Sequence, residues 1–259
     1  MTETLTALHP LDQAVDLTAL APGRYEGHTS RAYWNMAGPF GGVTAAAMLK
    51  AVLDHPERRG RPVAQTVNFC AAIAEGAFEI TVRLVRDGRS TQHWQVELAQ
   101  GETIAATASL VTGPSRETWG HQPTKPPAMP PPAALEPMPT AGRNAWLSRY
   151  EFRFERGAPV FGGATTGDLG SALSQLWIRD EPPRPLDYVA LAALADSFVI
   201  RLVQVRGDLP PVATVSLSTY FLADEVEMGR QGARSLIGVA DARVFKRSAM
   251  APNSVSRPV

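Results

Sequence analysis

The run Leu186-Asp-Tyr-Val-Ala-Leu-Ala-Ala-Leu-Ala-Asp-Ser-Phe-Val-Ile-Arg-Leu-Val203 decides how the chain folds. Alanine and leucine give it high helix propensity, and apolar residues fall on nearly every face. The pattern predicts a helix over 186–203, enclosed by protein rather than lying on a surface. Asp196 is set deep inside this run. A carboxylate in mid-helix has poor propensity and a desolvation cost, so a buried one needs a hydrogen-bond partner, a charge partner or a chemical task. The plainer alternative is an acid on the helix's one wet stripe, beside Ser197. Arg201 then lies five positions on, a spacing poorly suited to an ion pair.

A second Ala-rich helix is expected over 43–53, opened by the turn-like Gly38-Pro-Phe-Gly-Gly42. Ahead of it, residues 24–34 read as a strand carrying aromatics and broken at Gly27. Paired glycines allow close backbone packing where a helix begins. They also leave first-turn N–H groups that a carbonyl oxygen or a phosphate can meet, and the motif alone does not choose between the two. After Pro56, residues 63–71, 78–86, 91–99 and 103–112 have strand periodicity, with Asp87-Gly88 and Gln100-Gly101 at expected hairpin turns. One helix and an antiparallel meander make an α+β unit whose curled sheet can wrap the helix.

Composition then shifts. Residues 114–139 are rich in proline and small residues, as in Lys125-Pro-Pro-Ala-Met-Pro-Pro-Pro132, which forms neither helix nor central strand. A spacer between two halves is the reading preferred over a Pro-rich signalling ligand. Beyond it the plan recurs: strands over 146–154 and 170–179, the Asp196 helix, a strand over 212–222 carrying Thr214, and a strand over 235–245. On 212–222, Ala213, Val215, Leu217 and Phe221 alternate with hydroxyl residues, which could simply face solvent.

With 259 residues and 44% hydrophobic residues, the chain can hold one large domain or two ordinary ones. Basic and acidic side chains balance at 25 each with no basic block, which argues against a nucleic-acid or anionic-membrane footprint. Cys70 is the only cysteine, so no intrachain disulfide forms and a reducing compartment is the default. The first ten residues lack the basic and apolar regions of a signal peptide, and no segment has membrane-span length, so a cytoplasmic protein without membrane partner is expected. The five histidines show no metal-ligand spacing, there is no Gly-x-Ser-x-Gly elbow, and Cys70 has no evident activating partner.

Four stretches, Gly38-Pro-Phe-Gly-Gly42, Val85-Arg-Asp-Gly-Arg-Ser90, Leu194-Ala-Asp-Ser-Phe198 and Ala213-Thr-Val-Ser-Leu-Ser-Thr-Tyr-Phe221, carry a resemblance. In this order, and with the linker between halves, the chain resembles the bacterial acyl-CoA thioesterases of the thioesterase II, double-hotdog type and the wider thioesterase-like group. The resemblance implies an α+β double hotdog: a unit at 1–113, a linker at 114–140 and a second unit at 141–259. It implies hydrolysis of acyl-CoA thioesters, with the acyl chain and pantetheine arm in the seam between units and no metal or organic cofactor. By the same resemblance Asp196 matches the catalytic aspartate and Thr214 the catalytic threonine. Those roles make physical sense, since a carboxylate in a partly dry seam can deprotonate a water that a hydroxyl positions, while helix N-terminal N–H groups meet the thioester oxygen. Arg89 is assigned to a turn, reaching either the neighbouring half or the CoA phosphates.

One departure stands out. The family's third catalytic residue is a glutamine on the last strand of the second unit, and no glutamine follows Gln231 here. The second sheet is expected to be short of its final strand, with an unpaired edge that invites another chain, hence a homo-oligomer. Two alternatives follow. One is a non-catalytic acyl-CoA binding protein; the other is a hotdog enoyl-CoA hydratase using an Asp/His pair, for which Asp54-His55 is the nearest candidate.

Overall fold

A computed structural model describes residues 8–116, 119–159, 171–199, 201–206 and 212–245. Residues 1–7, Gly170 at the head of a predicted strand, Ile200 in the predicted helix and the tail 246–259 lie outside the described residues. A short helix α1 (Pro10–Ala14) and strands β1 (Thr18–Ala21) and β2 (Arg24–His28) lead to a 3-10 turn at Arg31–Tyr33 and helix α2 (Gly41–Leu53). Strands β3 (Arg61–Phe69), β4 (Ala77–Asp87), β5 (Gln92–Gln100) and β6 (Thr103–Gly113) complete the first unit. Alternation decides which side chains turn inward: Phe78, Ile80 and Val82 on β4, Trp94, Val96 and Leu98 on β5, and Ala106, Ala108 and Leu110 on β6 are all buried. They close around α2, in which every residue from Gly42 to Leu49 is buried, as an all-apolar helix requires. Gln65, buried on β3, ties the sheet to α2, since its Nε2 donates to the Ala45 carbonyl at 2.9 Å.

A linker with one 3-10 turn at Pro132–Ala134 leads to a second 3-10 turn at Ala145–Arg149. The second unit then contains β7 (Tyr150–Arg156), β8 (Leu173–Asp180), α3 (Tyr188–Leu194), α4 (Arg201–Arg206), β9 (Ser216–Tyr220), α5 (Glu225–Gln231) and β10 (Leu236–Asp241). The sheets run β1-β2-β4-β5-β6-β3-β9 and β10-β8-β7. Thus β9 joins the first unit's sheet, pairing antiparallel with β3, and Ser218 and Thr66 share a hydroxyl bond at 2.9 Å. The second sheet folds Tyr150, Phe152, Leu176 and Ile178 inward, and α3 packs directly on α2. The molecule is a hotdog-type α+β fold in two units. Among the described residues, no helix is long and apolar enough to cross a membrane.

Four expectations need correction, the briefest being the strand predicted over 146–154, which begins only at Tyr150 after the 3-10 turn at Ala145–Arg149. The single helix over 186–203 is interrupted: α3 ends at Leu194 and α4 begins at Arg201, so Asp196 follows a helix end instead of sitting in mid-helix. The reason is local, because the Ser197 hydroxyl donates to the Leu194 carbonyl at 2.6 Å and ties off the last turn. The strand predicted over 212–222 is confined to β9, leaving Thr214 in the irregular segment before it. The strand predicted over 24–34 ends at His28. Helix α5 was not foreseen, although Asp224 and Glu227 form a reciprocal capping box that the sequence displays.

In the first unit the second strand after the helix, β4, pairs with β2, and β5 and β6 separate it from β3. In the second unit β10 pairs with β8 in the same way, yet among the described residues no strand lies between β10 and β9.

Candidate active site

Asp196 reaches across from the end of α3 to the start of α2. The two glycines there are required by contact: a Cβ on Gly42 would lie 2.4 Å from the Ala193 carbonyl oxygen, and one on Gly41 would lie 2.6 Å from Asp196 Oδ2. Of the two uses open for this pair, close packing is the one seen. Gly42 lets the helices touch, and Gly41 makes room for the carboxylate. The backbone N–H of Gly42 donates to Asp196, so the carboxylate sits on the N-terminal amides of α2. Burial raises the Asp196 carboxyl from 3.8 to about 6, a rise that the Gly42 bond partly offsets.

Asp196 opens into a cavity of about 320 Å³ between the units, lined also by Gly41, Thr214, Asn35, Asn144 and Trp146. Phe198, Val199 and Val212 give it an apolar wall. The structure thus brings Asp196 and Thr214 to one cavity, although Thr214 arrives on an exposed loop and not on a strand. The wall opposite is stiff. Phe40 and Trp146 stack with ring centroids 4.3 Å apart and planes 3° from parallel. Asn35 Oδ1 accepts from Asn144 Nδ2 at 2.8 Å and from Trp146 Nε1 at 3.3 Å. With its oxygen committed twice, the Asn35 side chain has its NH₂ left as the group to donate.

Sequence reasoning missed Asn35, Asn144 and Trp146. Asn35 falls just past the strand expected over 24–34, and its partner Asn144 lies 109 positions away. The other candidates lie elsewhere. Arg89 is exposed on the hairpin between β4 and β5 and does not line the cavity. Asp54 pairs with Lys50, and His55 is buried edge-on to Trp94 at 5.0 Å, so this pair is not at the cavity either. Gln231, the last glutamine, caps the end of α5 by donating to the Arg234 and Ser235 carbonyls. Among the described residues no group of three or more His, Cys, Asp and Glu could hold a metal ion.

Residues 30–113 match the family model for the acyl-CoA thioesterase N-terminal domain, and residues 123–248 that for the C-terminal domain. A conserved hot-dog-fold protein of unknown function from Alicyclobacillus acidocaldarius is 40% identical, over 93% of this chain and 89% of that one, with a TM-score of 0.87. An acyl-CoA thioesterase II from Mycobacterium marinum is 22% identical over 85% of this chain and 80% of that one, with a TM-score of 0.62, a likeness of fold. No curated protein matches the chain.

Proposed function

The chain belongs to the acyl-CoA thioesterase family, and from that premise we propose that it hydrolyses acyl-CoA thioesters to free acid and CoA, with Asp196 activating the water. The observation that carries this reading is the Asp196 carboxylate, raised to about 6 and held by Gly42, at a cavity it shares with Thr214 and the first amides of α2. A carboxyl of that acidity is ionised at neutral pH yet basic enough to accept a proton from water. The attacking oxygen adds to the thioester carbonyl while its proton passes to Asp196, and the Thr214 hydroxyl positions that water. Negative charge then grows on the carbonyl oxygen. Gly41, whose amide is one of those a helix start leaves unpaired, and the Asn35 NH₂ are the donors lining the cavity to meet it. Collapse breaks the carbon–sulfur bond, the thiolate takes the proton that Asp196 holds, and the new carboxylic acid then gives its own proton to Asp196. The apolar wall of Phe198, Val199 and Val212 suits the acyl chain.

This chemistry fixes a pH dependence. The base must be unprotonated, so kcat/KM for thiol release falls as pH drops through about 6, the Asp196 value, instead of through the 3.8 of an ordinary aspartate. A pH–rate profile from 4 to 9 checks this, and an acid limb near 4 would show that the reacting carboxylate is not the desolvated one.

A second reading has one observation behind it: among the described residues from 212 to 245 the one side-chain amide, that of Gln231, is occupied at the end of α5 and does not line the cavity. An acyl-CoA binding protein would bind the same thioesters without turnover. Among the described residues β9 and β10 end their sheets without a further partner strand, which also supports a homo-oligomer, and Val215 just before β9 and Tyr220 on it are 76% and 72% exposed. Light scattering should return a mass of two or more chains; a single-chain mass at working concentrations would remove that expectation.

A further inference from the structure

Behind the cavity wall lies a polar cluster that the reaction above does not use. Tyr33, Tyr150 and Asp180 are 0%, 2% and 4% exposed. Tyr33 Oη, Tyr150 Oη, Asp180 Oδ1 and Arg149 Nε are all buried without a hydrogen-bond partner. Four such atoms in one place need partners, and water is the partner that suits a mixed set of donors and acceptors.

Their placement is directional. Tyr150 and Asp180 are opposite one another across β7 and β8, with side chains on the same inward face. The Tyr33 ring meets Tyr150 edge-on at 6.4 Å. On its other side Tyr150 packs edge-on against Phe40 and Trp146, each at 6.2 Å, and both of those residues line the cavity of Asp196. Tyr150 lies within electrostatic reach of Asp180 and Asp196 alike. Beyond Asp180, Arg184 pairs with Asp12 at 2.7 Å and Asp187 at 2.6 Å, whose carboxylates are 39% and 44% exposed.

At neutral pH each hydrolysis turns thioester and water into carboxylate, thiol and one proton, and with the thioester seated in the cavity that proton needs a path the substrate does not occupy. We propose that Tyr150, Tyr33, Asp180 and Arg149 hold a short water chain that carries this proton from Asp196, past Tyr150 and Asp180, to the exposed carboxylates Asp12 and Asp187. No bond other than O–H is made or broken along it, and no co-reactant is needed. The charged and titratable groups facing Asp180 are Tyr33, Arg149, Tyr150, Arg184, Asp187 and Asp12. Burial, opposed by Arg184, raises its carboxyl to about 7, close to the 6 of Asp196, so transfer between the two is nearly balanced. The inference rests on the hydrolase reading.

The test compares the unaltered protein with Tyr150→Phe and Asp180→Asn, measuring kcat and KM for thiol release at pH 7 in weak buffer and with increasing imidazole. Tyr150→Phe deletes a hydroxyl with no protein partner, so its melting temperature should not fall, and it keeps the test sound if Asp180→Asn folds poorly. Both variants are expected to lose kcat by roughly tenfold at unchanged KM, and imidazole should restore it by carrying the proton itself. Unchanged kcat, or a loss that imidazole does not restore, overturns the relay while leaving the hydrolase intact. Absence of turnover in the unaltered protein overturns the hydrolase reading, and the relay with it.

Discussion

Asp196→Asn should lower kcat for acyl-CoA hydrolysis by roughly 10²- to 10⁴-fold, the usual contribution of a positioned base. Asparagine has the size of aspartate, and its Oδ1 can still accept the Gly42 N–H, so the contact between α3 and α2 survives. What disappears is the ability to take a proton from water. Substrate should still bind, leaving KM close to its original value, because the cavity walls are untouched. Stability should move the other way. The folded carboxyl titrates near 6 against 3.8 unfolded, so its protonated form is the one the fold favours. Its contribution is fully present below about 4 and is lost as pH rises through about 6, so at pH 8 the neutral amide should melt no lower than the original and at a higher temperature if the rest of the fold is unchanged. Paired activity and melting measurements check both halves; a variant that is inactive because it unfolds would not support the base.

The largest stability loss is expected from Gly42→Ala. The added methyl would lie 2.4 Å from the Ala193 carbonyl oxygen and equally near the Phe40 ring. The carbonyl belongs to the backbone of α3, and the ring is clamped by its stack on Trp146, so neither can yield as a flexible side chain would. The helices must therefore separate, with strain of about 1–3 kcal/mol for an extra methylene in a packed core. Because the seam also carries the carboxylate, activity should fall together with stability. Urea unfolding checks the prediction, and a midpoint equal to that of the original chain would show that the units are not packed through this contact.

The first unit was legible because its signals are local. Alternation along residues 77–113 and the turns at Asp87-Gly88 and Gln100-Gly101 give the meander, and the all-round apolar surface of α2 announces a wrapped helix. The break after α3 was hidden because Phe198, Val199, Leu202 and their neighbours prolong the apolar pattern. What ends the helix is a serine hydroxyl on its last carbonyls and a carboxylate drawn to the other unit. The same limit applies to β9. Its alternation was visible, but its pairing with β3 depends on a register between units that periodicity does not encode. Of the candidate site, Asp196 stood out as an acid in an apolar run, while Thr214 was named only through the family resemblance; both line one cavity. The Asn35–Asn144–Trp146 brace did not stand out, because each is ordinary alone and acquires meaning only through a partner far along the chain.

The central claim, that this cavity turns over thioesters, is tested most directly by incubating the purified protein with acyl-CoAs of graded chain length and measuring thiol and free acid together. The account predicts equimolar release of both with a preference among chain lengths. Saturable acyl-CoA binding with no thiol release at any length would contradict it and leave a binding protein in its place.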